Sequence, residues 1–208
     1  MKRIVKNPTV RKTEIIKAAA KLFLAKEYEK ATLQDVMDHL GIAKGTIYHY
    51  FDSKEDLLEA VVIDMVDARL NEIEIKLKEI KGNALQKMEK LVELGNMAKE
   101  HPELLDQLHR PTHTGMHIRI LVETLIKLAP IYEKLIQQGC DEGIFHTEHP
   151  RECAELILSA VQLLTDTGIY PWTTEDLKRR GRAFPNLIEQ QLKAAPGSFK
   201  FLFRKQIR

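Results

Sequence analysis

Residues 31–58 read ATLQDVMDHLGIAKGTIYHYFDSKEDLL, and this stretch decides the fold. Thr32 is placed to accept a hydrogen bond from the free amides of a helix starting after it, and Asp35, three residues on, completes a weak capping box. Val36, Met37 and Leu40 keep the three- and four-residue steps of one apolar helix face. Gly41 permits a left-handed backbone, so a helix of about eight residues turns at once into another short one. Two short helices joined by a glycine-containing turn make a helix-turn-helix. On the second helix Ile47 and Phe51 share a face and anchor it to a core, while Lys44, Gly45, Tyr48 and His49 fall on the other.

That outer face has the chemistry of DNA contact. A recognition helix enters the major groove with its N-terminal residues against base edges, so Lys44 would reach guanine acceptors and Gly45 would let the backbone come close. Thr46, Tyr48 and Tyr50 can donate hydroxyls to phosphates, and Lys54 at the next helix start can neutralise one. The alternatives are that Tyr48, Tyr50 and Phe51 are ordinary amphipathic packing in a protein that never meets DNA, or that DNA is coated without regard to sequence.

Working outward, helical periodicity continues almost everywhere. Between residues 9 and 26 the apolar stripe is Ile16, Ala19, Ala20 and Phe23, and a long periodic segment follows over 57–80. No run shows the β-branched alternation of a strand, so the fold is all-α with about nine helices. Gly82-Asn83 ends a long helix and Pro102 closes the one after it. Gly139, Gly143 and Pro150 end another, and Pro171 and Pro196-Gly197 punctuate the rest. Pro130 either kinks or divides the stretch 115–140.

The formal net charge of +2 over 208 residues conceals a division. Residues 1–54 hold 11 basic and 6 acidic side chains (+5), residues 55–177 hold 12 and 23 (−11), and residues 178–208 hold 9 and 1 (+8). Such asymmetry implies that one part meets a polyanion and another avoids it. Cys140 and Cys153 have neither disulfide-framework nor zinc-ligand spacing, no signal-peptide core follows the basic start, and no stretch reaches a membrane span. The expected setting is cytoplasmic, with no membrane partner.

The segment resembles the N-terminal domain of the tetracycline-repressor (TetR) family. Residues 41–57, GIAKGTIYHYFDSKEDL, follow that family's G-V-S-x-G-T-[LI]-Y-x-[HY]-F-x-s-K-e-x-L signature nearly throughout, and Ala19, Phe23, Tyr28 and Thr32 match its first helix and the turn after it. The match covers about the first 60 residues. The resemblance implies a homodimer in which three N-terminal helices bind DNA and later helices hold a ligand pocket and a dimerisation surface. By position it implies that Lys44, Gly45 and His49 face bases, and that Thr32, Thr46, Tyr48, Tyr50 and Lys54 meet phosphates. Two residues depart from the pattern. Ala43 replaces the usual serine and leaves the recognition helix without a side-chain cap, a loss of about 1 kcal/mol that a DNA phosphate would offset. Glu27 replaces the glycine that ends the first helix, which argues against a left-handed cap there.

The rest of the chain offers softer signals. His109, His113 and His117, spaced four and four, would share one face of a continuous helix within reach of a transition metal. Pro111 and Gly115 interrupt that helix, and no acidic residue lies between 107 and 122. The competing reading is histidines lining a helix junction or pocket. Met97, Leu104, Leu108, Met116, Leu121, Tyr170 and Trp172 would either line a ligand cavity, with His113 and His117, or form ordinary core. Residues 153–164 and 184–192 are more apolar than one-sided surface helices need, so helices near 150–169 and 184–195 would pair across a two-fold axis as a four-helix bundle. The +8 segment is taken as a solvated face and tail. No nucleophile elbow, P-loop or zinc-protease motif is present, so no enzyme and no cofactor are expected.

The sequence thus predicts a helix-turn-helix DNA-binding domain over 1–54 and a ligand-binding and dimerisation domain over 55–208. The expected function is a transcriptional regulator, a repressor released from a near-palindromic operator by a small molecule. The alternative is a metal-binding protein or metal enzyme using His109, His113 and His117.

Overall fold

The computed structural model describes residues 7–94 and 102–202, and these form nine α-helices and one 3-10 turn with no strand among them. Helix α1 (Pro8–Lys26) starts where Asn7 accepts from the Thr9 amide, with Pro8 in the first turn where its missing N–H costs nothing. Its buried stripe is Ile15, Ala18, Ala19 and Phe23, with Ile16 and Ala20 half-buried. The stripe is therefore turned by one residue from the expected Ile16 and Ala20, because α1 packs against both α2 and α4.

Glu27, which ends α1, has φ 63° and ψ 138°, a positive φ carried by a non-glycine residue. The glycine backbone is kept although the glycine is absent, at a steric cost of about 1–2 kcal/mol. Glu27→Gly is therefore expected to raise stability by about 1 kcal/mol in urea unfolding. The exposed Glu27–Lys30 pair lost with it is worth little. A variant no more stable than the parent would show that the backbone stores no strain there.

Helix α2 (Leu33–Leu40) carries the expected capping box: Thr32 accepts from the Asp35 amide, and Asp35 accepts from the Thr32 amide. Gly41 closes it in the left-handed region, at φ 60° and ψ 38°. Helix α3 (Lys44–Tyr48) follows, with Ala43 offering no side-chain cap. Helix α4 (Lys54–Glu79) starts at Ser53, whose hydroxyl accepts from the Asp56 amide. At 26 residues it is roughly 39 Å long and runs from the N-terminal helices into the body.

The body comprises α5 (Ala84–Leu94), α6 (Pro102–Leu108), a 3-10 turn (Pro111–His113), α7 (Thr114–Asp141), α8 (Pro150–Thr165) and α9 (Thr174–Leu192). Helix α7 packs on α4, α5 and α8, and α8 packs on α9. Two hydrophobic clusters fill the interior. The first joins α1, α2, Ile47, Phe51 and the first half of α4 to Leu104, Leu108, Met116 and Ile120. The second gathers the end of α4, α5, the second half of α7, Phe145, α8 and α9.

Several expectations for the body change. Pro102 opens α6, and the end of the helix before it lies outside the described residues. Pro130 does not divide α7, which runs through it. Gly139 lies inside α7, where a Cβ would stand 2.1 Å from Phe145 Cδ2, so it is a site of close packing and not a terminator. Helix α9 begins ten residues before Phe184, at a Thr173–Asp176 capping box, and passes through Pro185. The basic segment is only partly solvated: Arg180 is buried, donates to the Leu164 carbonyl at 2.6 Å and lies 3.7 Å over the Trp172 ring. Phe199 is buried too, stacked on Phe145, and its amide donates to buried Glu189.

Candidate nucleic-acid interface

A five-residue helix cannot hold itself together, so the position of α3 depends on what it is fastened to. Ile47 is fully buried and Phe51 nearly so, both in the cluster built on α1 and α4. Fastened by that face, α3 turns Lys44, Gly45, Tyr48 and His49 to solvent. The Lys44 ammonium lies 5.6 Å from the centre of the Tyr48 ring, which confirms the shared face. Thr46 and Tyr50 are half-buried at its flanks, and Tyr50 meets His49 edge to face.

Thr32, Lys44, Tyr48 and Lys54 line one shallow hollow of about 420 Å³ between the start of α2, α3 and the start of α4. Gly45, Thr46, His49 and Tyr50 lie outside it. Gln34, on the first turn of α2, lines the same hollow and was missed from sequence; its place two residues beyond the Thr32 cap was the available signal.

The cations of this surface differ in freedom. Lys44 is exposed. Lys54 is held 4.0 Å over the Tyr28 ring with a long hydrogen bond to the Glu29 carbonyl, and burial pulls its pKa below the ordinary lysine value. The Thr32 hydroxyl donates to Asp35, so a phosphate would have to compete for it. Asp35 is in turn paired with Lys26, and that bond together with those from Thr32 holds its carboxyl down to about 2.

Tyr28 joins this surface to the body. It is buried, packed edge-on to Phe23 and to His113 of the 3-10 turn, and burial aided by Glu55 and Glu29 pushes its phenol pKa up. One residue on, Glu29 pairs with Arg110.

The three histidines do not form one cluster. His113 is buried with Nδ1 donating to the Gln107 carbonyl at 2.8 Å and its ring against Tyr28, so it is turned away from the other two. His109 and His117 do stack, 5.2 Å between centroids, and the acid missing from their neighbourhood in sequence comes from Asp166 at the end of α8. The 3-10 turn at Pro111 breaks the helical register, as the proline there implies, so the spacing of four and four gives no single three-histidine face.

Of the other residues considered for a pocket, Met97 lies outside the described residues. Leu104, Leu108 and Met116 are buried in the first cluster. Trp172 is half-buried under Arg180, and Tyr170 is 55% exposed beside it, so neither joins them. Cys140 and Cys153 are free thiols. Among the described residues no helix is long and apolar enough to cross a membrane.

Comparison with known proteins places this architecture. The model of the bacterial regulatory proteins, tetR family, matches residues 15–61, and that of a tetracyclin repressor-like C-terminal domain matches residues 97–187. The HTH-type transcriptional repressor KstR2 of Mycolicibacterium smegmatis is 37% identical over 60 residues, 29% of each chain, so the alignment spans under a third of that relative's length. The fatty acid degradation regulator FadR of Bacillus halodurans has a TM-score of 0.53 at 23% identity, covering 92% of this chain and all of that one. RolR in complex with resorcinol has a TM-score of 0.61 at 16% identity, covering 95% of each chain. These likenesses show a shared fold. The alternative of a metal-binding protein or metal enzyme built on His109, His113 and His117 finds no support, because both family models describe regulators. A helix-turn-helix head fastened through Ile47 and Phe51 to an all-helical body, each part matched by its own family model, makes this chain a member of the tetR family of bacterial regulatory proteins.

Proposed function

We propose that the protein is a sequence-specific DNA-binding transcriptional regulator, a repressor that leaves a near-palindromic operator when its body binds a small-molecule effector. The observation that carries this reading is the solvent face of α3, where Lys44, Gly45, Tyr48 and His49 stand together on a helix locked from behind by Ile47 and Phe51. Lys44, Gly45 and His49 read base edges, and Thr32, Thr46, Tyr48, Tyr50 and Lys54 set register on the phosphates. The naming of KstR2 as a repressor supports the sign of regulation. The division at residue 54 into reading head and body is kept as a functional one, and the working compartment is the cytoplasm.

Two heads are needed to read a palindrome. Leu156 and Leu163 on α8 and Leu187 on α9 leave more than half of their surface exposed, which supports a homodimer through these helices. The two α3 helices then enter successive major grooves, about 34–36 Å apart or somewhat more. An effector that fits the body only after α4 has shifted moves the heads out of register. It acts only through its differential affinity for the two states, about 5.5 kcal/mol for a 99:1 to 1:99 reversal. Leu104, Leu108, Met116, His113 and His117, all buried in the body, are kept as the proposed sensing residues.

Substitution separates the two kinds of DNA contact. Lys44→Ala is expected to cost about 1–3 kcal/mol and to relax preference at one base position. Lys54→Ala weakens all sequences alike and lowers the salt slope by about 1. Titrations against the preferred site and its single-base variants check both. If Lys44→Ala changed neither affinity nor preference, the base-reading role would be wrong, and coating of DNA regardless of sequence would show as the absence of any preferred site.

A further inference from the structure

We propose that His109, His117 and Asp166 form a binding site for a divalent first-row transition-metal ion, whose occupancy is passed to the reading head through Arg110 and His113. The first half of this proposal stands on the body alone. The second rests on the regulator reading above.

Three side chains far apart in sequence converge here. His109 follows the last turn of α6, His117 lies in the first turn of α7, and Asp166 caps the end of α8. Asp166 Oδ2 is 3.1 Å from His117 Nε2 and Oδ1 is 3.7 Å from His109 Nε2, and one donor atom from each of the three lies within 4.8 Å of the others. Donors about 2.0–2.2 Å from one ion stand roughly 3–3.6 Å apart in a tetrahedron. His109, the least buried of the three, needs to turn by about an ångström to complete that arrangement. Two imidazoles and one carboxylate suit zinc, cobalt, nickel or ferrous iron, and leave a position for water or an oxygen of an effector.

Asp166 is largely buried, and among the described residues its only salt-bridge partners are these two imidazoles, with no lysine or arginine. A buried carboxylate calls for a full compensating charge, which a divalent cation supplies. His117 is buried, and its Nδ1 meets no hydrogen-bond partner. Nε2 is the nitrogen turned to Asp166, so an ion would bind there, and Nδ1 lies on the other side of the ring. The Gly168 and Ile169 amides donate to Asp166 Oδ1 at 2.8 and 3.1 Å and fix the carboxylate's direction, as outer contacts do for ligands. Gly168 has no room for a side chain: a Cβ there would stand 2.2 Å from His109 Cδ2.

The route to DNA starts at the same segment. His109 faces the site, while the next residue, Arg110, pairs with Glu29, and His113 packs edge-on against Tyr28, whose ring lies under Lys54. Drawing His109 and His117 together around an ion moves the short turn that carries both contacts to the head.

The test uses the full chain, stripped with chelator and titrated with Zn²⁺ or Co²⁺ alone. One equivalent per chain is expected, with the visible absorption of four- or five-coordinate Co²⁺. His109→Ala and Asp166→Asn should each weaken uptake by at least about 100-fold, the upper end of what losing an outer contact costs. Gly168→Ala keeps all three ligands yet should weaken uptake by crowding His109, and circular dichroism establishes that each variant is folded. No stoichiometric uptake, or equal affinity in folded His109→Ala and Asp166→Asn, overturns the site. For the coupling, metal should change the Kd for the preferred DNA by about 5-fold or more, within the usual range for linked sites. Arg110→Ala should keep uptake and lose that response. An unchanged Kd, or an unchanged response in Arg110→Ala, overturns the route. Intact DNA binding without metal uptake removes the site and leaves the regulator. Uptake without DNA binding in either state keeps the site and removes the regulator.

Discussion

Replacing Ile47 by alanine is expected to lower the unfolding free energy by about 2–5 kcal/mol and to abolish preferred-site DNA binding while the body stays folded. Ile47 is the one buried residue of α3 and has no exposed surface. Helix α3 has only five residues and no side-chain cap, so neither intrinsic helicity nor capping would hold it once that anchor is gone. The lost methyl groups leave a cavity in the first cluster, and the cost depends on how far that cluster collapses. Ile47→Val, a smaller truncation costing about 0.5–1.5 kcal/mol, should keep DNA binding. Urea unfolding and DNA titration of both variants check this. Full DNA affinity in Ile47→Ala would mean that α3 is not the reading element.

A similarly large effect is expected at the other end of the molecule. Phe145 has no exposed surface, lies over Gly139 of α7 and stacks on Phe199 with centroids 5.8 Å apart. Phe145→Ala should cost about 3–5 kcal/mol. Gly139→Ala alone should also destabilise, by about 1–3 kcal/mol, because the new Cβ would overlap the Phe145 ring. In the Phe145→Ala background the overlap is gone and alanine is the better helix former by about 1 kcal/mol, so the sign of the second substitution should reverse. Unfolding of the two single variants and the double variant measures this coupling. Additive losses would show that Gly139 and Phe145 do not pack as described.

These two sites also show what a sequence discloses. The head was legible because its determinants are local. The Thr32–Asp35 box, the left-handed Gly41 and the anchors Ile47 and Phe51 all act within a turn or two of themselves, and the structure places the box and the glycine as read and buries both anchors, although α3 ends at Tyr48 and Phe51 lies beyond it. Even there, choosing between Ile15 and Ile16 required knowing which helices flank α1, since both satisfy the helical period.

The body was legible in class and in helix count, and much less in detail. Gly139 reads as a helix terminator until Phe145 is seen to need its missing Cβ. Arg180 reads as a solvated charge until Trp172 and the Leu164 carbonyl are brought to it by the turn between α8 and α9. The histidine spacing pointed to a real convergence but selected the wrong third member. His113 was taken out by the turn at Pro111, and Asp166 came from 49 residues beyond His117, a pairing that only tertiary structure makes. Of the eight proposed DNA contacts, the structure gathers four around one hollow and leaves Gly45, Thr46, His49 and Tyr50 outside it.

The central claim is that α3 reads a specific sequence as one of a symmetric pair, and selection of bound DNA from a random pool tests it most directly. The purified full chain should enrich a near-palindrome whose half-sites lie about one helical turn or somewhat more apart. The Lys44→Ala variant, selected in parallel, should keep the symmetry and lose preference at one position in each half-site. A pool that emerges without any preferred sequence, or the same preference from both proteins, would contradict the account.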